Sequence, residues 1–165
     1  MPNWCGNQLI ITGPRRDLIL FVLKWKAHHN NFRFSAFLPT PPEADWYEWN
    51  NGNWGTKWDV DVEDAQIGHG QISMSFDTAW APPEAFILAV SEMFPGLTFH
   101  LEYEEPGADF QGYLIAKAGE ALDEESGPCP PGEPEEDDPP PAARPKPPET
   151  KSCRQRRSTP SRRKR

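Results

Sequence analysis

Apolar and polar positions along the first 118 residues repeat with two different periods, and the switches between them outline the elements. Residues 7–12 (Asn-Gln-Leu-Ile-Ile-Thr) are rich in aliphatic and β-branched side chains and are stopped by Gly13-Pro14, which predicts a first strand. Leu18, Phe21, Val22 and Trp25 then recur at three and four, a stripe of period 3.6, so a helix is expected between Pro14 and the polar exit His28-His29-Asn30-Asn31. Residues 32–37 (Phe-Arg-Phe-Ser-Ala-Phe) return to period two and predict a second strand, closed by Leu38-Pro39-Thr40-Pro41-Pro42. From Pro39 to Gly55 runs an insertion with Trp46, Tyr47 and Trp49, long for a connection in a compact domain and therefore either functional or carrying a short helix.

Residues 58–63 and 71–76 both alternate cleanly on either side of Gly68-His69-Gly70, so they are expected to pair as a hairpin. Pro82-Pro83-Glu84 opens a second helix with the buried stripe Phe86, Ala89, Val90, Met93 and Phe94, ended by Pro95-Gly96. Residues 97–103 and 110–116 complete the series as two strands around Pro106-Gly107. Two strand–helix–strand units sharing one antiparallel sheet describe a ferredoxin-like α+β sandwich, with two helices on one face, an insertion and an extra hairpin.

Composition limits how much of the chain folds. All nineteen aromatic residues lie at or before Tyr113, whereas the 47 residues from Gly119 onward hold 11 of the 20 prolines and Leu122 as their one large aliphatic side chain. Such a segment buries too little apolar surface to offset the entropy of ordering, so residues 1–118 are expected to form the domain and 119–165 a disordered tail.

Charge narrows the partners. Residues 1–118 carry 15 acidic and 7 basic side chains, a balance that repels phosphate and disfavours nucleic-acid binding by the folded part. The tail carries 10 of each sign, acidic first (Glu133, Glu135, Glu136, Asp137, Asp138) and basic last. Arg154, Arg156, Arg157, Arg162, Arg163, Lys164 and Arg165 are candidates for weak, sequence-independent nucleic-acid contact or for docking to a protein. No apolar run approaches the roughly 20 residues of a membrane helix, and Met1-Pro2-Asn3-Trp4 opens without a basic segment or an apolar core, so a cytoplasmic protein with no membrane partner is expected. Cys5, Cys129 and Cys153, odd in number and widely spaced, fit a reducing compartment and match no zinc or iron–sulfur pattern, and no cofactor is expected.

Three turn-like stretches gather the chemistry: Asn3-Trp4-Cys5-Gly6-Asn7, Asn53-Trp54-Gly55-Thr56-Lys57-Trp58-Asp59 and Thr78-Ala79-Trp80-Ala81-Pro82-Pro83. They are expected to face one another, making Asn3, Trp4, Asn53, Trp54, Lys57, Trp58, Asp59 and Trp80 candidate ligand-binding residues, with Trp54 and Trp80 partly exposed around a shared cleft. The indoles have two uses open to them, packing or stacking a ligand. Lys57 and Asp59 straddle Trp58, either as an exposed ion pair or as a polar grip. With Phe76-Asp77, Phe94-Pro95, Tyr103-Glu104-Glu105-Pro106-Gly107, Phe110 and Gly112, these motifs resemble the YubB ferredoxin-like family of plasmids, phages and bacterial genomes, across essentially residues 1–116. The resemblance implies a ferredoxin-like fold without an iron–sulfur cluster and brings no activity with it.

Catalytic patterns are sparse. Asp59, Asp61 and Glu63 would share one face of a strand and hold a hard divalent cation, or simply solvate that face. Cys5 has no histidine near it in sequence, and phosphate loops and dinucleotide fingerprints are missing. Three function classes follow: a non-enzymatic binding module presenting a tryptophan-rich surface to a protein or small ligand, a nucleic-acid accessory protein acting through its basic end, and a divalent-metal enzyme built on the three carboxylates. The indole-rich turns favour the first.

Overall fold

The structure, a computed structural model, describes residues 3–27, 29–68 and 70–129. His28, His69 and the basic positions from Arg154 to Arg165 therefore lie outside the described residues, as does the expectation of disorder from residue 130 onward. Six strands form one antiparallel sheet: β1 (Trp4–Thr12), β2 (Gln66–Ile67), β3 (Gln71–Ala79), β4 (Thr98–Glu105), β5 (Phe110–Lys117) and β6 (Glu120–Gly127), in the order β2-β3-β1-β4-β5-β6. β3 and β4 both run antiparallel to β1, which lies between them, and helix α3 (Glu84–Met93) connects the two. This split βαβ unit makes the fold ferredoxin-like.

Alternation on β1 decides which face is covered. Cys5, Asn7, Leu9 and Ile11 are buried, while Trp4, Gly6, Gln8, Ile10 and Thr12 point the other way. The inward set meets Ile72 and Met74 of β3, Phe99 and Leu101 of β4 and Leu114 of β5 in one apolar core. Helix α1 (Arg15–Lys26) lays Leu18, Phe21 and Trp25 onto this face, the Phe21 ring 5.9 Å from Phe99, as its 3.6-residue stripe requires. Helix α3 adds Phe86, Ile87, Val90 and Ser91, and its Met93, expected in the stripe, is exposed.

Three expectations need correction, and a fourth, open between two readings, is decided. Residues 32–37 are not a strand: Phe32 makes a single bridge to Val62, after which Phe34–Ala36 close into a 3-10 turn. The cause is Asp59, whose Oδ1 accepts hydrogen bonds from the Phe34 and Ser35 amides (2.7 and 3.4 Å), groups that a sheet ladder would need. Residues 58–63 consequently form no strand either, and the hairpin partner of β3 is the two-residue β2. The insertion holds helix α2 (Trp46–Asn53), capped by Asp45, which accepts from the Tyr47 and Glu48 amides; such a cap stabilises a helix by about 1 kcal/mol.

Lastly, the ordered sheet passes residue 118. Ala118 (φ +52°) and Gly119 (φ +84°) form a two-residue turn with both central residues left-handed, so Lys117 pairs with Glu120 and β6 follows. Ser91 braces the turn through a 2.9 Å bond from the Gly119 amide. β6 is exposed along nearly its whole length, so its order comes from backbone pairing to β5, which apolar content does not report.

Candidate functional site

At one end of the sheet the three indole-bearing stretches come together, the first as the start of β1 rather than as the expected turn and the third as the end of β3 with the loop after it. The Trp80 amide donates to the Asn3 carbonyl (3.0 Å), and the buried Thr56 hydroxyl donates to the Ala79 carbonyl (3.0 Å). Beneath them Asn7, also buried, donates to the Cys5 carbonyl and to Thr78 Oγ1 (both 2.8 Å), and Thr78 donates to the Ala81 carbonyl (2.8 Å). The bonds from Trp80 to Asn3, from Asn7 to Thr78 and from Thr56 to Ala79 cross between the stretches and fix their relative placement.

The indoles divide between packing and exposure. Trp54 is 3% exposed: its Nε1–H donates to the Leu38 carbonyl (3.0 Å) and its ring lies across Phe34 and Trp49. It is a core residue, contrary to the expectation of a partly open one: it closes α2, and its ring is taken up by Phe34, Trp49 and the Leu38 carbonyl. Asp59 is likewise structural, committed to the amides of Phe34, Ser35 and Val60, and among the described residues it makes no ion pair with Lys57. Asn53 is exposed on α2 and donates to the Trp49 carbonyl (2.9 Å), and Asn3 is half-buried under the turn that follows β4.

What stays on the surface is a strip of aromatic side chains. The Trp4 and Trp58 rings lie 6.0 Å apart; Lys57 Nζ sits 4.7 Å from the Trp58 ring and 5.8 Å from that of Tyr47; and Tyr47 meets Trp46 edge-on at 5.7 Å. Trp80 is 53% exposed and its backbone is left-handed (φ +72°), a conformation that costs a bulky L residue about 1–2 kcal/mol. Trp46 and Tyr47 were visible in the sequence only as part of an insertion; the i to i+1 pair at a capped helix start is the signal that places them beside Lys57.

The strip adjoins a groove of about 850 Å3 on the uncovered face of the sheet. Register puts Asp77, Gly6, Glu104 and Gln111 in one cross-strand row and Ser75, Gln8, Glu102, Tyr113 and Glu125 in the next. Trp4 is one outward position beyond Gly6. The Tyr113 hydroxyl donates to Asp123 (3.2 Å), and that bond, ahead of the nearby negative charge, raises its pKa. These outward carboxylates were readable from the alternation of residues 71–76 and 97–103, had the polar rather than the apolar set been followed.

The row of three carboxylates does not assemble. Asp61 is held by Asn31 and Arg33, and the Asn31 amide above all, then the Arg33 charge, lowers its pKa; Glu63 is exposed and apart. With no strand at residues 58–63 the three acids have no common face, and among the described residues no three His, Cys, Asp or Glu side chains are placed to hold a metal ion. Cys5 is fully buried, and burial pushes its thiol up to about 12, far from nucleophilic range. No helix among the described residues is long and apolar enough to cross a membrane.

Split βαβ unit, six-stranded sheet and one uncovered face define a ferredoxin-like α+β domain. The family model described as the ferredoxin-like domain in Api92-like protein matches residues 53–138, more than half of the chain, and the chain belongs to that family. It is also similar in fold to the crystal structure of a protein api92 from Yersinia pseudotuberculosis, with a TM-score of 0.60 and 10% identity over 79% of this chain and 100% of that one. No curated protein matches it.

Proposed function

We propose that this Api92-like domain is a non-enzymatic recognition module that presents Trp4, Lys57, Trp58 and Trp80, with Trp46 and Tyr47 beside them, to a protein or small ligand. The observation that carries this is Trp80. Its backbone is in a conformation that glycine or asparagine would adopt more readily, its side chain is half in solvent, and the core is complete without it. Backbone strain held in place under an exposed aromatic ring is a feature of ligand surfaces rather than of packing. The neighbouring indoles add a contiguous apolar face, and Lys57 adds one cation to it. Catalysis finds little support: the buried thiol is protonated, Asp59 is engaged by backbone amides and Asp61 by Asn31 and Arg33. The YubB-like motifs support a plasmid- or phage-borne setting for the module, and the odd, widely spaced cysteines support a cytoplasmic one.

Indole N–H resonances test the proposal directly. In a 15N-labelled sample titrated with separate cationic-peptide, acidic-peptide, nucleotide and aromatic probes, at least one class should shift Trp4, Trp58 and Trp80 while leaving Trp25 and Trp54 in place. Shifts confined to the buried indoles, or none with any class, would remove the recognition surface.

A further inference from the structure

Among the described residues no helix covers the outward side of the sheet, and few cations stand near its acidic groups, with Lys57 held over the Trp58 ring beside Trp4. Among the described residues the ion pairs are Arg33–Asp61 and His100–Glu102, so Asp77, Glu104 and Glu125 are unpaired. Lys117 shares this face but pairs across from Thr98, at the end remote from Trp4. We propose that the uncovered face docks an extended, arginine-rich segment of a partner protein, with one guanidinium seated over Gly6, between Asp77 and Glu104, against the Trp4 ring. The proposal rests on the recognition function above and names its ligand.

Gly6 is the centre of the argument. Cross-strand pairing sets Asp77 on one side of it and Glu104 on the other, and the missing side chain leaves a notch between them. A Cβ added there would meet nothing nearer than the Glu104 carbonyl at 3.8 Å and Asp77 Oδ1 and Glu104 Cγ at 3.9 Å, so the notch is open, not filled by a neighbour. Trp4 stands one outward position along β1, its ring half-exposed. Two unpaired carboxylates flanking an open floor beside an indole face match a planar, delocalised cation, which accepts bidentate pairing at its rim and stacking on its face. An ammonium group would use the charges but not the plane.

The second row extends the fit from a side chain to a peptide. Glu102 lies two residues along β4 from Glu104, beside Gln8 in the next outward row, and alternate side chains of an extended chain are spaced about 7 Å apart, the same as successive outward rows. A segment with arginine at every second position, running along β1, would therefore meet Asp77 and Glu104 with one residue and Glu102 with the next. Charge complementarity over the whole unit points the same way: residues 1–131 hold 19 acidic and 7 basic side chains. A nucleic acid would meet this face with like charge.

Fluorescence anisotropy with a labelled octapeptide of alternating arginine and glycine tests the proposal on the full chain. The D77N/E104Q double variant, Trp4→Ala and Gly6→Val should each weaken binding about tenfold, with far-UV circular dichroism unchanged. The E43Q/E48Q variant, which removes two charges near α2, should stay within about twofold. The lysine–glycine counterpart should bind several times more weakly. Absence of binding, equal loss in E43Q/E48Q, or equal affinity for the lysine peptide would each overturn the proposal; should Gly6→Val not fold, D77N/E104Q decides. If the peptide fails while another probe class still shifts the Trp4 and Trp58 indoles, the recognition surface stands and this ligand does not.

Discussion

Exchanging two indoles from adjacent turns separates the packed from the presented. Trp54→Ala removes a ring that is 3% exposed and hydrogen-bonded to Leu38. An indole buries about 150–250 Å2, worth about 4–6 kcal/mol at about 25 cal/mol per Å2, and since alanine keeps part of that burial a loss of about 3–5 kcal/mol is expected. Trp80 is 53% exposed, so truncation withdraws about half of that burial, roughly 2–3 kcal/mol. Asparagine tolerates the left-handed backbone that tryptophan resists, and relief of that strain returns about 1–2 kcal/mol. Trp80→Asn should therefore destabilise by only about 1 kcal/mol, and the amide bond to Asn3 is retained. Urea unfolding followed by far-UV circular dichroism, which does not depend on tryptophan emission, gives both values by linear extrapolation. If Trp80→Asn costs 3 kcal/mol or more, on the scale of a buried indole, the ring anchors the fold and its role as a ligand surface is refuted.

Asp59→Ala should cost about 1–2 kcal/mol by stranding the amides it caps, while magnesium or calcium titration of the unaltered chain should leave Tm unmoved. Cys5 has a thiol raised to about 12 in the folded state against an ordinary 9.0, so above about pH 9 the unfolded chain releases a proton that the folded chain keeps. Stability should be full below that pH and fall as pH rises toward 12, and Cys5→Ser should flatten the fall in pH-dependent urea midpoints. Gly119→Val forces a branched side chain into a φ of +84° with Glu92 Cβ 3.1 Å from the new Cβ, and should lower stability by about 1–3 kcal/mol while accelerating amide exchange in β6 before β4.

Where burial was one-sided and local, the sequence carried the fold. The stripe of α1 and the alternation of β1, β3, β4 and β5 each follow from one face meeting the core, and each lies where its period puts it. Residues 32–37 misled because Phe32, Phe34, Ala36 and Phe37 are all buried, a density that a 3-10 turn satisfies as well as a strand; a carboxylate 25 residues away chose between them. β6 was illegible for the opposite reason, since a strand ordered by backbone pairing leaves no apolar trace. At the site, proximity of the three turns was legible in their Asn, Gly and Pro content. The division of the indoles was not, because whether a ring turns inward depends on the partners that take it up, for Trp54 the Phe34 ring and the Leu38 carbonyl, which no local pattern records.

The two outermost strands set how this molecule behaves in company. β2 offers only two residues to a newcomer, too few to template a further strand. β6 is long enough, but Glu120, Asp123, Glu124 and Glu125 along it oppose the approach of an identical chain. Strand-to-strand polymerisation is therefore blocked by shortness at one margin and by repulsion at the other, and only the second barrier yields to removal of charge. Replacing Glu120, Asp123, Glu124 and Glu125 by their amides should let self-association begin along β6, read by light scattering, and nowhere else on the sheet.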